Sequence, residues 1–254
     1  MSSAPYTYDL SLLDKSREKW LSSSGIRLVY KDIFEHLLSE LKGHHILEVG
    51  SGIGNGKDFI PHLVTSDIVK TKYVDQAVSC YELEEVIPSN EEALWDAIIG
   101  VDVLHHLEFP IQFFKSASKA LKRGGRIVLC EPAATRWGRA FYNRFHHEPC
   151  NLESIQSPYC FSADKDDEFS NMAMSVALFE RDKVHLTPEF QAIALKLRRL
   201  SYAYVISYPL SGGYSRGQYA PSWFIQCMIR LERMLPQSWL KHIALRNFIT
   251  LEKI

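Results

Sequence analysis

The sequence lacks any apolar run long enough to cross a bilayer. Its start, MSSAPYTYDLSLLDKSREKW, lacks the basic stretch and apolar core of a secretory signal. It lacks a CxxC pair as well. The five cysteines, Cys80, Cys130, Cys150, Cys160 and Cys227, are scattered and odd in number, which argues against a disulfide framework and for reduced thiols. A cytoplasmic chain is the expectation. There is little charge imbalance: 29 basic and 30 acidic residues leave a formal charge of −1, so no global field draws the chain onto nucleic acid. Internal repeats and low-complexity tracts are missing too. What is present is ordinary for a globular chain: 254 residues, 46% hydrophobic and 23% charged, enough for one substantial core with an insertion.

The first 43 residues read as two helices, the second marked by the apolar stripe Ile33, Leu37, Leu38 and Leu41 and closed by Gly43. From residue 45 the period changes. Strands are expected over 46–49, 63–66, 97–101 and 126–130, with a short helix cut by Pro61 and a longer one over 111–122. Strands alternating with helices predict a parallel sheet covered on both faces. Residues 132–187 break that rhythm, aromatic and His-rich at first and acidic over 162–168, and read as an insertion over the sheet. Beyond Pro188 the pattern predicts a helix over 189–200, a strand over 202–208, a loop over 209–213, a helix over 221–234 and a last strand over 243–253.

The densest signal is HILEVGSGIGNGKDF at 45–59, with glycines at 50, 52, 54 and 56 directly after the first strand. Clustered glycines weaken any regular element, so a close approach to something is expected there. The dinucleotide fingerprint G-x-G-x-x-G does not fit: its third glycine falls on Asn55 in one register and on Lys57 in the other. A phosphate-binding P-loop fails at Ser51 and Asp58. What fits is E-x-G-x-G-x-G from Glu48 to Gly54, where the acid suits a ligand with a cationic amino group.

At these residues the chain resembles the class I S-adenosylmethionine-dependent methyltransferases, most closely over 44–131. The resemblance extends to Asp67 at the end of the second strand, to WDAIIGVDVLHHLEFP at 95–110 and to ALKRGGRIVLCEP at 120–132, in the family's order. It implies an α/β fold with a Rossmann-like, mostly parallel seven-stranded sheet, helices on both faces and an antiparallel last strand. The implied arrangement is a single methyltransferase domain over 1–254. A helical cap would cover 1–43, the cofactor core 44–131, a lid for substrate 132–187, and the completion of the sheet 188–254. It further implies that Glu48, Gly50, Ser51, Gly52 and Gly54 cradle the methionine and ribose of S-adenosylmethionine, the product being S-adenosylhomocysteine. By the same resemblance Asp67 takes the ribose hydroxyls, Ile68 lies against adenine, and Val101 and Asp102 meet the methionine end. Ser79 stands where the family often carries an acid for the adenine amino group.

Methyl transfer from a sulfonium needs alignment and exclusion of water more than proton traffic. A hydroxyl acceptor gains from a nearby base, and His suits neutral pH. The candidates are His146 and His147 in RFHHEPC, His106 after the fourth strand, and Glu131 after the fifth. His105 reads as scaffold that shapes its loop. Adjacent histidines converge poorly on one ion without a distant partner, so no metal is expected. The N/D-P-P-Y/F motif of DNA and protein-glutamine amino-methyltransferases is replaced by Asp102-Val103-Leu104-His105. A small-molecule or lipid-linked acceptor, with methylation on O or N and no nucleic-acid partner, is the expectation. The aromatic and basic stretches 136–147 and 222–248 leave peripheral membrane contact open. An RNA or protein methyltransferase, or a non-catalytic partner subunit of the same fold, are the alternatives.

Overall fold

The computed structural model describes residues 10–86, 94–161, 169–214 and 216–254. The acidic stretch 162–168 and the first nine residues, singled out above, lie outside the described residues.

Two helices open the chain, α1 (Leu10–Ser22) and α2 (Ser24–Glu40). The hydroxyl of Ser23 caps α2 by accepting from the Ile26 N–H, and Ile26, Val29, Ile33 and Leu37 form its buried stripe at three- and four-residue spacing. The strands follow as β1 (Ile46–Val49), β2 (Val64–Asp67), β3 (Gln76–Ala77), β4 (Trp95–Val101), β5 (Leu121–Pro132), β6 (Leu195–Ala203) and β7 (Arg246–Lys253). They form one seven-stranded sheet in the order β3-β2-β1-β4-β5-β7-β6. Neighbours from β3 to β5 run parallel, and β7 runs antiparallel between β5 and β6. The mostly parallel sheet with an antiparallel last strand matches the expectation. The order reverses between β1 and β4, so the loops after these two strands diverge and leave a crevice at their C-terminal ends.

Side chains alternate across the sheet. Leu47, Val49, Ile98, Ile127 and Leu129 enter one core, which includes Phe113 and Phe114 of α3 (Pro110–Ala120) and the insertion's Met174 and Phe179. Ile46, Ala97, Ile99, Val128 and Cys130 enter a second core with Trp20, α2 and Ile225. In the insertion, α4 (Arg136–Phe145) is capped by Thr135, and α5 (Met174–Val176) runs on into a wider turn over Ala177–Arg181. After β6 the chain forms α7 (Ser207–Ser211), α8 (Ser222–Arg233) and α9 (Gln237–Ile243).

In the C-terminal third the expected helix over 221–234 and last strand over 243–253 appear as α8 and β7, whereas residues 189–213 depart from the expected elements. The predicted helix over 189–200 is one turn, α6 (Pro188–Gln191), followed by β6. Leu195, Leu197, Leu200 and Tyr202 pair along β7, and a register shift between Leu197 and Arg199 hides the two-residue alternation. Arg198 pairs with Glu252 and Arg199 with Glu40, so sheet pairing and these charges override a helical propensity. The expected strand over 202–208 ends at Ala203, and the expected loop over 209–213 overlaps α7. The expected short helix after the glycines is a single tight turn over Asn55–Asp58.

Candidate functional site

β1 delivers the chain into Gly50, Gly52 and Gly54, all with left-handed backbone. At Gly54 an added Cβ would lie 2.2 Å from the Tyr73 carbonyl oxygen, so this glycine serves packing. At Gly52 an added Cβ would meet nothing within 4 Å. Gly52 therefore leaves its backbone bare toward open space, and that space is a cleft of about 280 Å³ at the ends of β1, β2 and β4. Gly50, Asp67, Ile68, Ser79, Cys80, Asp102 and His106 line it together with Gly52, and Phe169 adds an aromatic side chain to the lining.

Asp67 terminates β2 facing the glycine loop. Its Oδ2 accepts from the Gly52 N–H at 2.8 Å and its Oδ1 from the Ile68 N–H at 2.7 Å. The carboxylate is thus fixed at the cleft wall. Ile68 is 47% exposed beside it, an apolar surface at the cleft mouth. The Ser79 hydroxyl accepts from the Tyr81 N–H at 3.2 Å. Burial, with the charge of Asp67, pushes the neighbouring Cys80 thiol up to about 12, which keeps it neutral.

Not every expected cofactor residue faces this cleft. Glu48 is buried under Gly56, whose added Cβ would lie 2.7 Å from Glu48 Oε2. That oxygen has no hydrogen-bond partner among the described residues, and burial pushes the carboxyl up to about 8. Ser51 ties β1 to β2 instead: its hydroxyl donates to the Glu48 carbonyl and accepts from the Ser66 N–H, each at 3.1 Å. Gly54 and Val101 pack away from the cleft, Val101 against the core beneath α2.

Asp102 follows β4 with a φ of 59°, unusual for a residue with a side chain. Its Oδ1 lies 2.7 Å from Arg246 Nη1, and its Oδ2 accepts from the Tyr30 hydroxyl of α2 at 3.3 Å. The helical cap and the last strand therefore both hold this residue at the cleft.

Beyond Asp102 the structure assembles a chain of acids and imidazoles. Glu131, at the end of β5, is wholly buried. Its Oε1 accepts from the Val103 and Leu104 N–H groups at 2.9 and 2.8 Å, and its Oε2 lies 2.7 Å from His105 Nδ1. Its carboxylate braces the loop after β4 and does not line the cleft. On the far side of that ring, His105 Nε2 lies 3.3 Å from Oε2 of Glu148. Glu148 Oε1 lies 3.9 Å from His106 Nε2 and 3.6 Å from His147 Nε2, while the Glu148 N–H donates to His146 Nδ1 at 3.3 Å. Burial alone would lower His105, but Glu131 and Glu148 raise it to about 10. Burial opposes the ionised form of Glu148, yet His105 and the neighbouring imidazoles hold it at about 2. Burial, helped by the charge of His105, lowers His106, and burial lowers His146. Of the four candidate catalytic residues, His106 alone lines the cleft; His146 and His147 sit behind Glu148, and His147 is largely exposed.

Sequence reasoning missed the parts that come from far away in the chain. Arg246 gave no signal beyond being a cation within the expected last strand over 243–253. Glu148 follows the His146-His147 pair directly, but nothing local shows that it meets His105.

Comparison with known proteins agrees with this geometry. A family profile described as a methyltransferase domain matches residues 24–174, more than half of the chain. No curated protein matches the sequence. Among solved structures, an S-adenosylmethionine-dependent methyltransferase from Archaeoglobus fulgidus is similar over 89% of this chain and 94% of its own, with TM-score 0.50 and 11% identity. An S-adenosylmethionine-dependent methyltransferase from Mesorhizobium loti is similar over 87% and 96%, with TM-score 0.48 and 12% identity. At such identities the likeness is one of fold. The chain belongs to the methyltransferase-domain family and has the class I S-adenosylmethionine-dependent methyltransferase fold.

Proposed function

We propose that the protein binds S-adenosylmethionine in the cleft between β1, β2 and β4 and methylates a small-molecule or lipid-linked acceptor on O or N. The observation that carries this is Gly52 facing open space beside a fixed Asp67 carboxylate at the reversal of strand order. The residues present fit the cofactor. Asp67 offers paired oxygens for a ribose diol, Ile68 an apolar surface, Ser79 a hydroxyl for the base, and Gly50, Gly52 and Asp102 the boundary of the methionine end. When bound there, S-adenosylmethionine supplies a methyl group on a sulfonium that leaves without needing protonation.

The chain's own contribution is alignment and dryness. Tyr30 and Arg246 fix Asp102 from opposite sides of the chain, and Phe169 and Leu107 give the cleft apolar lining beside His106. His106 lines the cleft on the side we assign to the acceptor. Near-neutral net charge favours a small or lipid-linked acceptor over RNA. α4 adds exposed Trp137 and Phe145 among Arg136, Arg139 and Arg144, a surface suited to an apolar, anionic carrier. The test is transfer of isotope-labelled methyl into a cell extract separated into metabolite, lipid, RNA and protein fractions. Label in the metabolite or lipid fraction is expected, and label confined to RNA or protein overturns the acceptor assignment.

A further inference from the structure

The geometry points to a divalent-cation site of the zinc class, held by His105, His106 and Glu148, with an open position toward the cleft. Adjacent histidines alone converge poorly on an ion. The fold supplies the missing distant partner by bringing Glu148 of the insertion onto the loop after β4. One ligand atom from each of the three residues lies within 4.8 Å of the others. His105 Nε2 stands 3.3 Å from Glu148 Oε2, and His106 Nε2 stands 3.9 Å from Glu148 Oε1. A tetrahedral ion with ~2.1 Å bonds separates its ligand atoms by roughly 3.4 Å, so small movements close this set.

Two further observations single out this trio. First, His105 Nδ1 lies 2.7 Å from Glu131 Oε2, and Glu131 is itself fixed by two backbone N–H groups. A carboxylate accepts the Nδ1 proton and aims Nε2 at Glu148, the outer-shell arrangement that orients metal-binding histidines; the ion would take the place of the Nε2 proton. Second, Glu148 Oε2 is out of contact with solvent and has His105 Nε2 as its near polar neighbour at 3.3 Å, so the carboxylate is turned into the cluster. The overlapping set His146, His147 and Glu148 meets the same distance criterion but lacks this support. There His146 Nδ1 already accepts from the Glu148 N–H, and the His147 side chain is 77% exposed.

Two imidazoles and one carboxylate with a vacant fourth position is the donor set of open zinc sites. His106 lines the cleft, so the vacancy faces the place assigned to the acceptor, and the ligand it would take is an acceptor oxygen. That last clause rests on the methyl-transfer proposal; binding of the ion does not.

The test is titration of the full, chelator-treated chain with zinc chloride, read by calorimetry and by metal analysis after dialysis. Cobalt(II) absorption serves as a second readout, and magnesium chloride as the control for a site that prefers nitrogen donors. One equivalent of zinc is expected, with affinity reduced at least tenfold in His106→Ala and in Glu148→Ala. His147→Ala should stay within about threefold of wild type. Glu131→Gln, checked for folding by circular dichroism, should weaken zinc binding by ~10–100-fold through the outer shell. No stoichiometric zinc uptake by the wild type overturns the site. So does a loss confined to His147→Ala. S-adenosylhomocysteine binding measured on the same preparations reports separately on the cofactor cleft, so failure of one is distinguishable from failure of the other.

Discussion

Arg246 Nη1 lies 2.7 Å from Asp102 Oδ1, joining the first residue of β7 to the left-handed residue that follows β4. The guanidinium is almost fully buried, whereas the Asp102 side chain stays 29% exposed at the cleft. Such a pair holds a strained backbone in place only while both members are present. Arg246→Met should lower stability by about 3–5 kcal/mol, because it strands a partly buried carboxylate. Arg246→Lys should recover only part of this, since an ammonium cannot reproduce the planar fork. Urea unfolding midpoints check both, and an Arg246→Met protein as stable as wild type would show that the pair is incidental.

Gly52 and Gly54 predict opposite phenotypes from the same substitution. Gly52→Ala places a methyl group in the open cleft and costs only the ~1–2 kcal/mol of a left-handed alanine, so the fold should survive while S-adenosylhomocysteine affinity drops at least tenfold. Gly54→Ala drives its Cβ toward the Tyr73 carbonyl oxygen, 2.2 Å away, and should cost about 2–5 kcal/mol of stability. Thermal melts and ligand titrations on both variants separate the two roles.

Glu48 carries a pH signature. Burial raises its carboxyl from 4.5 to about 8 in the folded chain. Between these values the folded state keeps a proton that the unfolded state has released. Stability therefore falls as pH rises through that window, with a limiting slope of ~1.4 kcal/mol per pH unit, and levels off above the folded value. Glu48→Gln removes this component. Its stability relative to wild type should grow between about pH 5 and about pH 8 in urea melts, and a difference independent of pH contradicts the assignment.

What the sequence shows of this molecule is what is local to it. The run from Ile46 to Val49 into Gly50, Gly52 and Gly54, with Asp67 at the next strand's end, lies within one strand-turn-strand segment, and its elements appear where expected. Residues 189–213 were not legible, although α8 and β7 beyond them appear where expected. Residues 195–203 contain good helix formers, and a register shift blurs their alternation, so only pairing with β7 makes them a strand. The site divides in the same way. Ile68, Ser79 and Asp102 line the cleft, whereas the buried Glu48 and Ser51 lie in the wall behind it, a distinction set by side-chain direction and not by spacing. The Glu131–His105–Glu148 chain joins three segments through tertiary contact, and no single stretch carries it.

The most direct test of the cofactor cleft is calorimetric titration of the full chain with S-adenosylhomocysteine, alongside Asp67→Ala. One-to-one binding by the wild type is predicted. The variant should bind about 10–150-fold more weakly, the equivalent of ~1.5–3 kcal/mol for hydrogen bonds to a charged group. Unchanged affinity in Asp67→Ala, or no binding by the wild type, contradicts the placement of S-adenosylmethionine between Gly52 and Asp67.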